Sequence, residues 1–192
     1  MLTAEELGLD YEYVHVNLGK LENKTPEFIA MNPMAKIPVL KHDELTLIES
    51  GAICRYLARV NDNRLYSADP VVAARIDQIM DVMSNHIGQH LGVHFWQEII
   101  VPTYFKKEPK QSALAEAKGF LESQLPYLDA TLAQTRYLCG DEVTIADTFA
   151  YAYFEVTEHT SADISAFEHL TKWYQDFKQR PSVARVYQRF PA

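Results

Sequence analysis

The chain has 192 residues, 47% hydrophobic and 23% charged, which is typical of a globular protein with a sizeable core. The net charge of −8 and the lack of a basic run argue against nucleic acid or an anionic membrane as a partner. No apolar run is long enough to span a bilayer, and "MLTAEELGLD" does not look like a secretory signal. Cys54 and Cys139 are the only cysteines, and their wide separation fits a reducing compartment, so we expect a cytoplasmic protein.

The first sixty residues alternate helical and extended patterns. "LTAEEL" predicts a helix that ends at Gly8, and "YEYVHVNL" favours a strand. Thr25 followed by Pro26 predicts the capped start of a short helix. "KIPVLKHDELTLIES" predicts two short strands around a turn at Lys41 to Glu44, and "SGAICRYLARV" predicts another helix. This order indicates an α/β unit.

The rest of the chain is helical in pattern and follows "NDNRLYSADP", which has the composition of a linker. A first apolar stripe consists of Ile76, Ile79, Met80, Met83, Ile87 and Leu91. A second apolar run extends from Leu114 to Leu132 across Pro126. Thr144 and Asp147 have the spacing of a capping box before a further apolar helix. The second half is therefore predicted to be all-α.

The stretch "NPMAKIPVL" places Pro38 within an apparent short strand. A proline cannot donate to a strand ladder, so one interpretation is an edge strand with an ordinary trans bond. The other is a cis bond between Ile37 and Pro38. That bond would turn the main chain of Ile37 outward, where it could pair with an extended peptide ligand. The residues alone leave both interpretations open.

The stretch "ESGAICRYLA" places Glu49 and Ser50 where a strand end meets a helix start. Ser50 is a natural N-cap, and the N–H groups of a helix start can also bind a carboxylate. Glu49 beside it could bind an ammonium group, so the pair would suit the α-carboxylate and α-amino group of an amino acid. The alternative is a plain cap and a solvated charge.

Together these motifs resemble the signature of the glutathione S-transferase family. "GDEVTIADTFAYAYF" and "WYQDFKQRPSVARV" are similar to two motifs of its helical domain, and "FWQEIIVPTYFKKEP" resembles theta-like, bacterial-type members. The resemblance implies an α/β plus all-α fold, with a truncated thioredoxin-like N-terminal domain followed by the C-terminal helical bundle of the family. The expected division is a glutathione-binding domain at 1–62, a linker at 63–69 and the helical domain at 70–192.

The resemblance also implies roles for individual residues. Pro38 matches the cis-proline of the family, so Ile37 would bond the cysteinyl main chain of glutathione. Glu49 and Ser50 would hold its γ-glutamyl end. The implied glutathione-binding residues are Lys36, Ile37, Pro38, Glu49 and Ser50, with Lys24 as a possible contact of the glycyl carboxylate.

The catalytic position has no match. In the family, a first strand and a loop with Ser, Tyr or Cys precede the segment that "MLTAEELGLDYEYV" resembles. We therefore expect the first strand and the start of the first helix to be missing, and we assign no catalytic residue. Thr3 lies well inside the helix and is not a substitute. With that strand missing, "YEYVHVNL" is predicted not to lie in a normal four-stranded sheet.

Three histidines recur at helical spacing. His86, His90 and His94, with Glu98 next in register, could form a metal-binding face. The outer pair would lie about 12 Å apart, however, at a rise of 1.5 Å per residue. We favour a polar face that lines the cleft or a dimer interface, and we predict no metal.

Four aromatic residues follow that helix: Phe95, Trp96, Tyr104 and Phe105. In the family this region helps to wall the pocket for the apolar electrophile. Packing inside the helical core is the alternative.

The resemblance implies a glutathione transferase that uses glutathione as co-substrate and, in its full-length form, joins the glutathione thiolate to an apolar electrophile. We expect a homodimer, without nucleic acid or membrane as a partner. The alternative is a non-catalytic module of the same fold that binds partners or dimerises.

Overall fold

The structure is a computed structural model that describes residues 1–190. The N-terminal part contains α1 (Leu2–Leu7), α2 (Pro26–Met31), β1 (Val39–His42), β2 (Leu45–Ile48) and α3 (Ser50–Arg59). The C-terminal part contains α4 (Pro70–Val82), α5 (Gly88–Phe95), α6 (Gln111–Leu132), α7 (Ile145–Phe154), α8 (Glu168–Lys178) and α9 (Pro181–Gln188). Two π-helical segments, Met83–Ile87 and Trp96–Phe105, flank α5. None of the helices in residues 1–190 has the length and apolar character needed to cross a membrane.

The two strands form an antiparallel hairpin, as predicted. Val39 pairs with Ile48 at the open end, and His42 pairs with Leu45 at the closed end. The turn is therefore only two residues long and shorter than predicted, because Lys41 and His42 still belong to the ladder.

The predicted strand in "YEYVHVNL" is wrong. Residues 11–17 have no regular secondary structure, and Leu18–Lys20 forms a 3₁₀ turn. Within residues 1–190 the sheet consists of β1 and β2 alone, so this segment has no ladder to join. A high β-propensity does not make a strand when the main chain lacks a pairing partner. The prediction that the segment does not lie in a normal four-stranded sheet is confirmed.

The predicted apolar stripe forms the centre of the helical part. All six of its residues are at most 4% exposed, and five of them are fully buried. Side chains from α6, α7 and α8 complete this core; those that are almost fully buried include Leu125, Leu128, Phe154, Tyr174 and Phe177. The second predicted run is also helical, since α6 continues through Pro126.

The capping box at the start of α7 is confirmed. Thr144 donates its N–H to Asp147 Oδ2 at 2.9 Å, and the Thr144 hydroxyl donates to the same oxygen at 3.0 Å. Asp147 also accepts the N–H of Leu138 at 2.9 Å and the indole N–H of Trp173 at 3.1 Å. A fully buried carboxylate is tolerated because four donors surround it.

Glu5 links the N-terminal helix to α9. Its carboxylate is only 4% exposed and accepts hydrogen bonds from Arg185 at 2.8 Å, Arg189 at 2.5 Å and the hydroxyl of Tyr11 at 2.8 Å. Burial by itself would raise the pKa of Glu5. The hydrogen bonds from Arg185, Tyr11 and Arg189 outweigh burial, and the pKa is lowered from its usual 4.5.

We predict that Glu5→Gln removes a pH-dependent part of the stability. A lowered folded-state pKa stabilises the protein fully above the unfolded-state pKa, and this contribution is lost as the pH falls through the folded-state pKa. Above pH 5, Glu5→Gln should lower the free energy of unfolding by about 2 kcal/mol, and the difference should shrink on acidification. Urea unfolding between pH 3 and 7 measures both effects. Glu122→Gln, from an exposed pair with Lys118, should change the free energy of unfolding by less than about 0.5 kcal/mol.

Two glycines of α5 provide a second, matched prediction. A Cβ at Gly88 would lie 2.5 Å from the main-chain oxygen of Met83 and 2.5 Å from the ring of Tyr153, whereas a Cβ at Gly92 would meet no atom within 4 Å. Gly88→Ala should therefore lower the free energy of unfolding by about 2–3 kcal/mol. Gly92→Ala should raise it by up to about 1 kcal/mol. Equal effects of the two substitutions in urea unfolding would contradict this packing.

Candidate functional site

The segment between α2 and β1 presents a free stretch of main chain. The bond between Ile37 and Pro38 is cis, as the family resemblance implied. Ile37 is 50% exposed, and among residues 1–190 its main-chain N–H and C=O have no hydrogen-bond partner. This edge is available to an extended ligand.

A buried asparagine holds that segment in place. Asn32 is 2% exposed; its side-chain amide donates to the Lys36 carbonyl at 2.6 Å and accepts the Met34 N–H at 3.0 Å. Asn23 donates to the carbonyl of Ala35, a residue with a φ of 53°, at 2.7 Å. This supporting role was not predicted for either asparagine. For Asn32 a signal was present, because an asparagine just after a helix often replaces a main-chain partner in a turn.

The start of α3 differs from the prediction. Ser50 is the first helical residue rather than the N-cap, because the carbonyl of Glu49 already accepts the first helical bond, from Ile53, at 2.9 Å. Glu49 is the N-cap, and no side chain caps this helix. Thr25, in contrast, caps α2 as predicted and accepts the N–H of Phe28 at 3.3 Å.

The uncapped start of α3 presents main-chain N–H groups that can bind an anion. In the part of the chain that the structure describes, the main-chain N–H groups of Ser50, Gly51 and Ala52 have no acceptor. Together with the positive end of the helix dipole, they form an anion site. Glu49 is exposed directly beside them and carries a negative charge. The arrangement suits a group that carries a carboxylate and an ammonium.

The hairpin brings the two halves of the candidate site together. Val39 and Ile48 are cross-strand partners, and the next residues outward are Pro38 and Glu49. The predicted contacts on both sides of the hairpin therefore lie next to each other. Lys24 is exposed in the preceding 3₁₀ turn, and the bond from Asn23 to Ala35 ties that turn to the same loop.

The four aromatic residues at the end of α5 and in the π-helical segment after it do not pack in the core. Phe95, Trp96, Tyr104 and Phe105 are between 43% and 53% exposed, so that alternative is wrong. Trp96 and Phe105 contact each other, with ring centroids 5.8 Å apart. A Cβ at Gly19 would lie 3.4 Å from the ring of Tyr104, which places this aromatic surface beside the N-terminal part.

The histidines do not share a metal-binding face. His94 is buried, with Nδ1 3.4 Å from Glu98, while His90 stacks on Phe120 at 4.5 Å and His86 is exposed. The segment described by the structure contains no group of three His, Cys, Asp or Glu side chains arranged to hold a metal. His86 lies in the π-helical segment Met83–Ile87, whereas His90 and His94 lie in α5 and differ in their surroundings.

The hydroxyl of Thr3 and the thiols of Cys54 and Cys139 are the other groups that could take part in sulfur chemistry, and both cysteines are partly buried. The hydroxyl of Thr3 lies 2.7 Å from that of Thr148 and 3.2 Å from the sulfur of Cys54. Burial raises the pKa of Cys54. Burial and the charge of Asp147 raise the pKa of Cys139 to about 12. Neither thiol is a ready nucleophile at neutral pH, because only the thiolate attacks.

Comparison with known proteins decides the family. The models for the N-terminal and C-terminal domains of glutathione S-transferase match residues 1–59 and 93–181. Probable glutathione S-transferase GSTF2 of Oryza sativa subsp. japonica is 33% identical over 186 residues, 95% of this chain and 86% of that protein. The chain belongs to the glutathione S-transferase family. Glutathione S-transferase 1 of Zea mays is also similar, at 32% identity over 192 residues, 95% of this chain and 86% of that protein.

Solved structures agree with this family. Glutathione S-transferase-I bound with lactoylglutathione superposes with a TM-score of 0.87 at 31% identity, over 96% of this chain and 90% of that chain. Glutathione transferase F7 from Populus trichocarpa superposes with a TM-score of 0.90 at 28% identity, over 97% of this chain and 90% of that chain. The predicted class, a thioredoxin-like domain followed by the helical domain of the family, is confirmed. The comparisons support neither the theta-like, bacterial-type subgroup nor the missing first strand.

A relative of another kind is also similar. Elongation factor 1-gamma 2 of Oryza sativa subsp. japonica is 30% identical over 191 residues. The match covers 97% of this chain but only 44% of that protein.

The backbone at Glu49 leads to a third prediction. Its φ of 67° and ψ of 113° form a backbone conformation that residues other than glycine rarely adopt. Such a conformation costs about 1–3 kcal/mol of folding free energy. Glu49→Gly should raise the free energy of unfolding by about 1 kcal/mol, since glycine adopts positive φ freely. Glu49→Gln keeps the side-chain shape and should leave the free energy of unfolding within about 0.5 kcal/mol of the parent value. Urea unfolding separates the two, and a loss of stability in Glu49→Gly would refute the strain.

Proposed function

We propose that the chain binds glutathione at the junction of the hairpin and α3. The observation that carries the proposal is the uncapped start of α3 beside the unpaired main chain of Ile37. Glutathione is an extended tripeptide with a zwitterionic γ-glutamyl end. Its α-carboxylate would accept the N–H groups that begin at Ser50, and its ammonium would pair with Glu49.

The same geometry suggests contacts for the cysteinyl and glycyl residues of glutathione. Ile37 would exchange main-chain hydrogen bonds with the cysteinyl residue, in the manner of an added strand, and Pro38 would fix that edge. Lys36 and Lys24 are exposed cations on the two sides of the loop. Lys36 would help to bind the tripeptide, and Lys24 would suit the glycyl carboxylate.

We further propose that glutathione serves as a co-substrate whose thiolate attacks an apolar electrophile. In this step a sulfur–carbon bond forms and the leaving group departs with its electron pair. Membership of the family supports this, and so does the exposed aromatic surface of Trp96, Tyr104 and Phe105. One relative was solved in complex with an atrazine glutathione conjugate. We assign no catalytic side chain, because Thr3 is engaged in the interior.

A non-catalytic module is the second candidate. The similarity to elongation factor 1-gamma 2, a protein not named as a transferase, favours it. In both cases we propose a cytoplasmic homodimer without a metal. The proposed domain division is 1–62, 63–69 and 70–192.

The binding proposal predicts the effect of single substitutions. Glu49→Gln should weaken the binding of glutathione and of S-hexylglutathione about tenfold in titration calorimetry, because an ion pair to the ammonium is lost. The matched control is Glu44→Gln, in the turn of the same hairpin, which should change affinity less than about twofold. Equal affinities in the two variants would contradict the assigned role of Glu49.

Catalysis is tested separately with 1-chloro-2,4-dinitrobenzene as the electrophile. Glutathione binding with conjugation above the uncatalysed rate supports the transferase. Binding without conjugation supports the non-catalytic module. Failure of the unaltered protein to bind glutathione would overturn the proposed site.

A further inference from the structure

The π-helical segment Trp96–Phe105 carries the exposed aromatic surface formed by Trp96, Tyr104 and Phe105. None of its ten residues is buried, and Pro102 lies inside it. π-helical turns are rare and occur frequently at functional sites. Most helices in proteins are stabilised by burying one face. A helical segment without buried side chains therefore needs other contacts to keep one conformation.

Two neighbouring polar side chains tie this segment to distant parts of the chain. Glu98 accepts the main-chain N–H of Ser161 at 2.8 Å, in the loop between α7 and α8. Gln97 accepts the main-chain N–H of Lys110 at 2.8 Å, just before α6. Within residues 1–190, no other side chain of the segment makes a hydrogen bond. These two side chains are therefore the polar anchors of the aromatic surface.

Glu98 is supported by a buried histidine. His94 is only 2% exposed, and its Nδ1 lies 3.4 Å from the Glu98 carboxylate and 3.3 Å from the Ser161 hydroxyl. Its Nε2 is buried and has no hydrogen-bond partner in the described part of the chain. A buried N–H without an acceptor is costly, so we place the proton on Nδ1, which faces Glu98.

The carboxylate of Glu98 is charged in this arrangement. Burial by itself would raise its pKa. The hydrogen bonds from Ser161 and His94 outweigh burial, and the pKa is lowered from its usual 4.5. A charged acceptor makes stronger hydrogen bonds than a neutral one, so the link to Ser161 is a firm one.

The same geometry excludes a catalytic triad. Ser161 and Glu98 both lie beside Nδ1 of His94. A triad needs the serine and the acid on opposite nitrogens of the imidazole ring, so that a proton taken from the serine is balanced by the acid. The cluster can therefore hold the segment in place, but it cannot activate the serine.

We propose that Glu98 is a positioning residue for the apolar part of a bound ligand. By tying the π-helical segment to Ser161, it holds the aromatic surface in the arrangement that receives an apolar group attached to the sulfur of glutathione. The inference rests on the proposed function, because the glutathione site brings that group to the aromatic surface. It requires no contact between Glu98 and the ligand.

The test compares S-methylglutathione with S-hexylglutathione, which differ only in the length of the alkyl group on sulfur. In titration calorimetry, the parent should bind S-hexylglutathione at least about tenfold more tightly, because more apolar area is buried. Glu98→Ala should reduce this preference to less than about threefold and leave the affinity for S-methylglutathione within about twofold, because only the aromatic surface loses its order. The control is Glu122→Ala, from the exposed pair with Lys118, which should leave both affinities within about twofold.

A more conservative variant and a measurement without ligand complete the test. Glu98→Gln keeps the shape but makes a weaker, neutral acceptor, so the preference should fall about two- to threefold. In Glu98→Ala, amide hydrogen exchange should be at least about tenfold faster both at Ser161 and in residues 96–105.

The possible outcomes separate this inference from the function on which it rests. If the parent prefers S-hexylglutathione and both Glu98 variants keep the full preference, the positioning role is overturned and the glutathione site stands. Faster exchange at Ser161 alone, without a change in residues 96–105, would also overturn the role. Failure of the parent to bind S-methylglutathione would overturn the proposed function and this inference together.

Discussion

The buried carboxylate of Asp147 is the contact on which the arrangement of the helices depends. Its four donors come from the turn before α7, from the first residue of the capping box and from α8. It therefore fixes where α7 begins and how α7 lies against α8. Because α7 also contacts α1, α3, α4 and α5, this single group helps to position α3, the helix that begins at the candidate glutathione site.

The helical part also allows the N-terminal part to keep a strained residue. Gly51 near the start of α3 lies close to Met80 and Phe149 in the helical core, and Arg55 one turn later pairs with Asp77 at 2.6 Å. α3 is thus anchored along its length, while its first N–H groups stay free. A positive φ at Glu49 persists only where the surroundings fix the backbone. Core packing in the helical part thereby maintains the uncapped start of α3.

Features that depend on local spacing could be predicted from the sequence. In the capping box and in the apolar stripe from Ile76 to Leu91, each residue lies about one helical turn or less from the next, so local spacing predicts both features. "YEYVHVNL" could not be assigned correctly, because a strand requires a distant partner that local propensity does not report. The surroundings of the histidines could not be predicted either, because the burial of His94 and the stacking of His90 on Phe120 depend on packing between helices.

The same distinction applies to the candidate site. Ile37, Pro38 and Glu49 lie in two short motifs joined by one hairpin, so a family resemblance together with a strand register was enough to bring them together. The strand register had to come from the structure. The structure also shows that the N-cap of α3 is Glu49, one residue before the predicted Ser50.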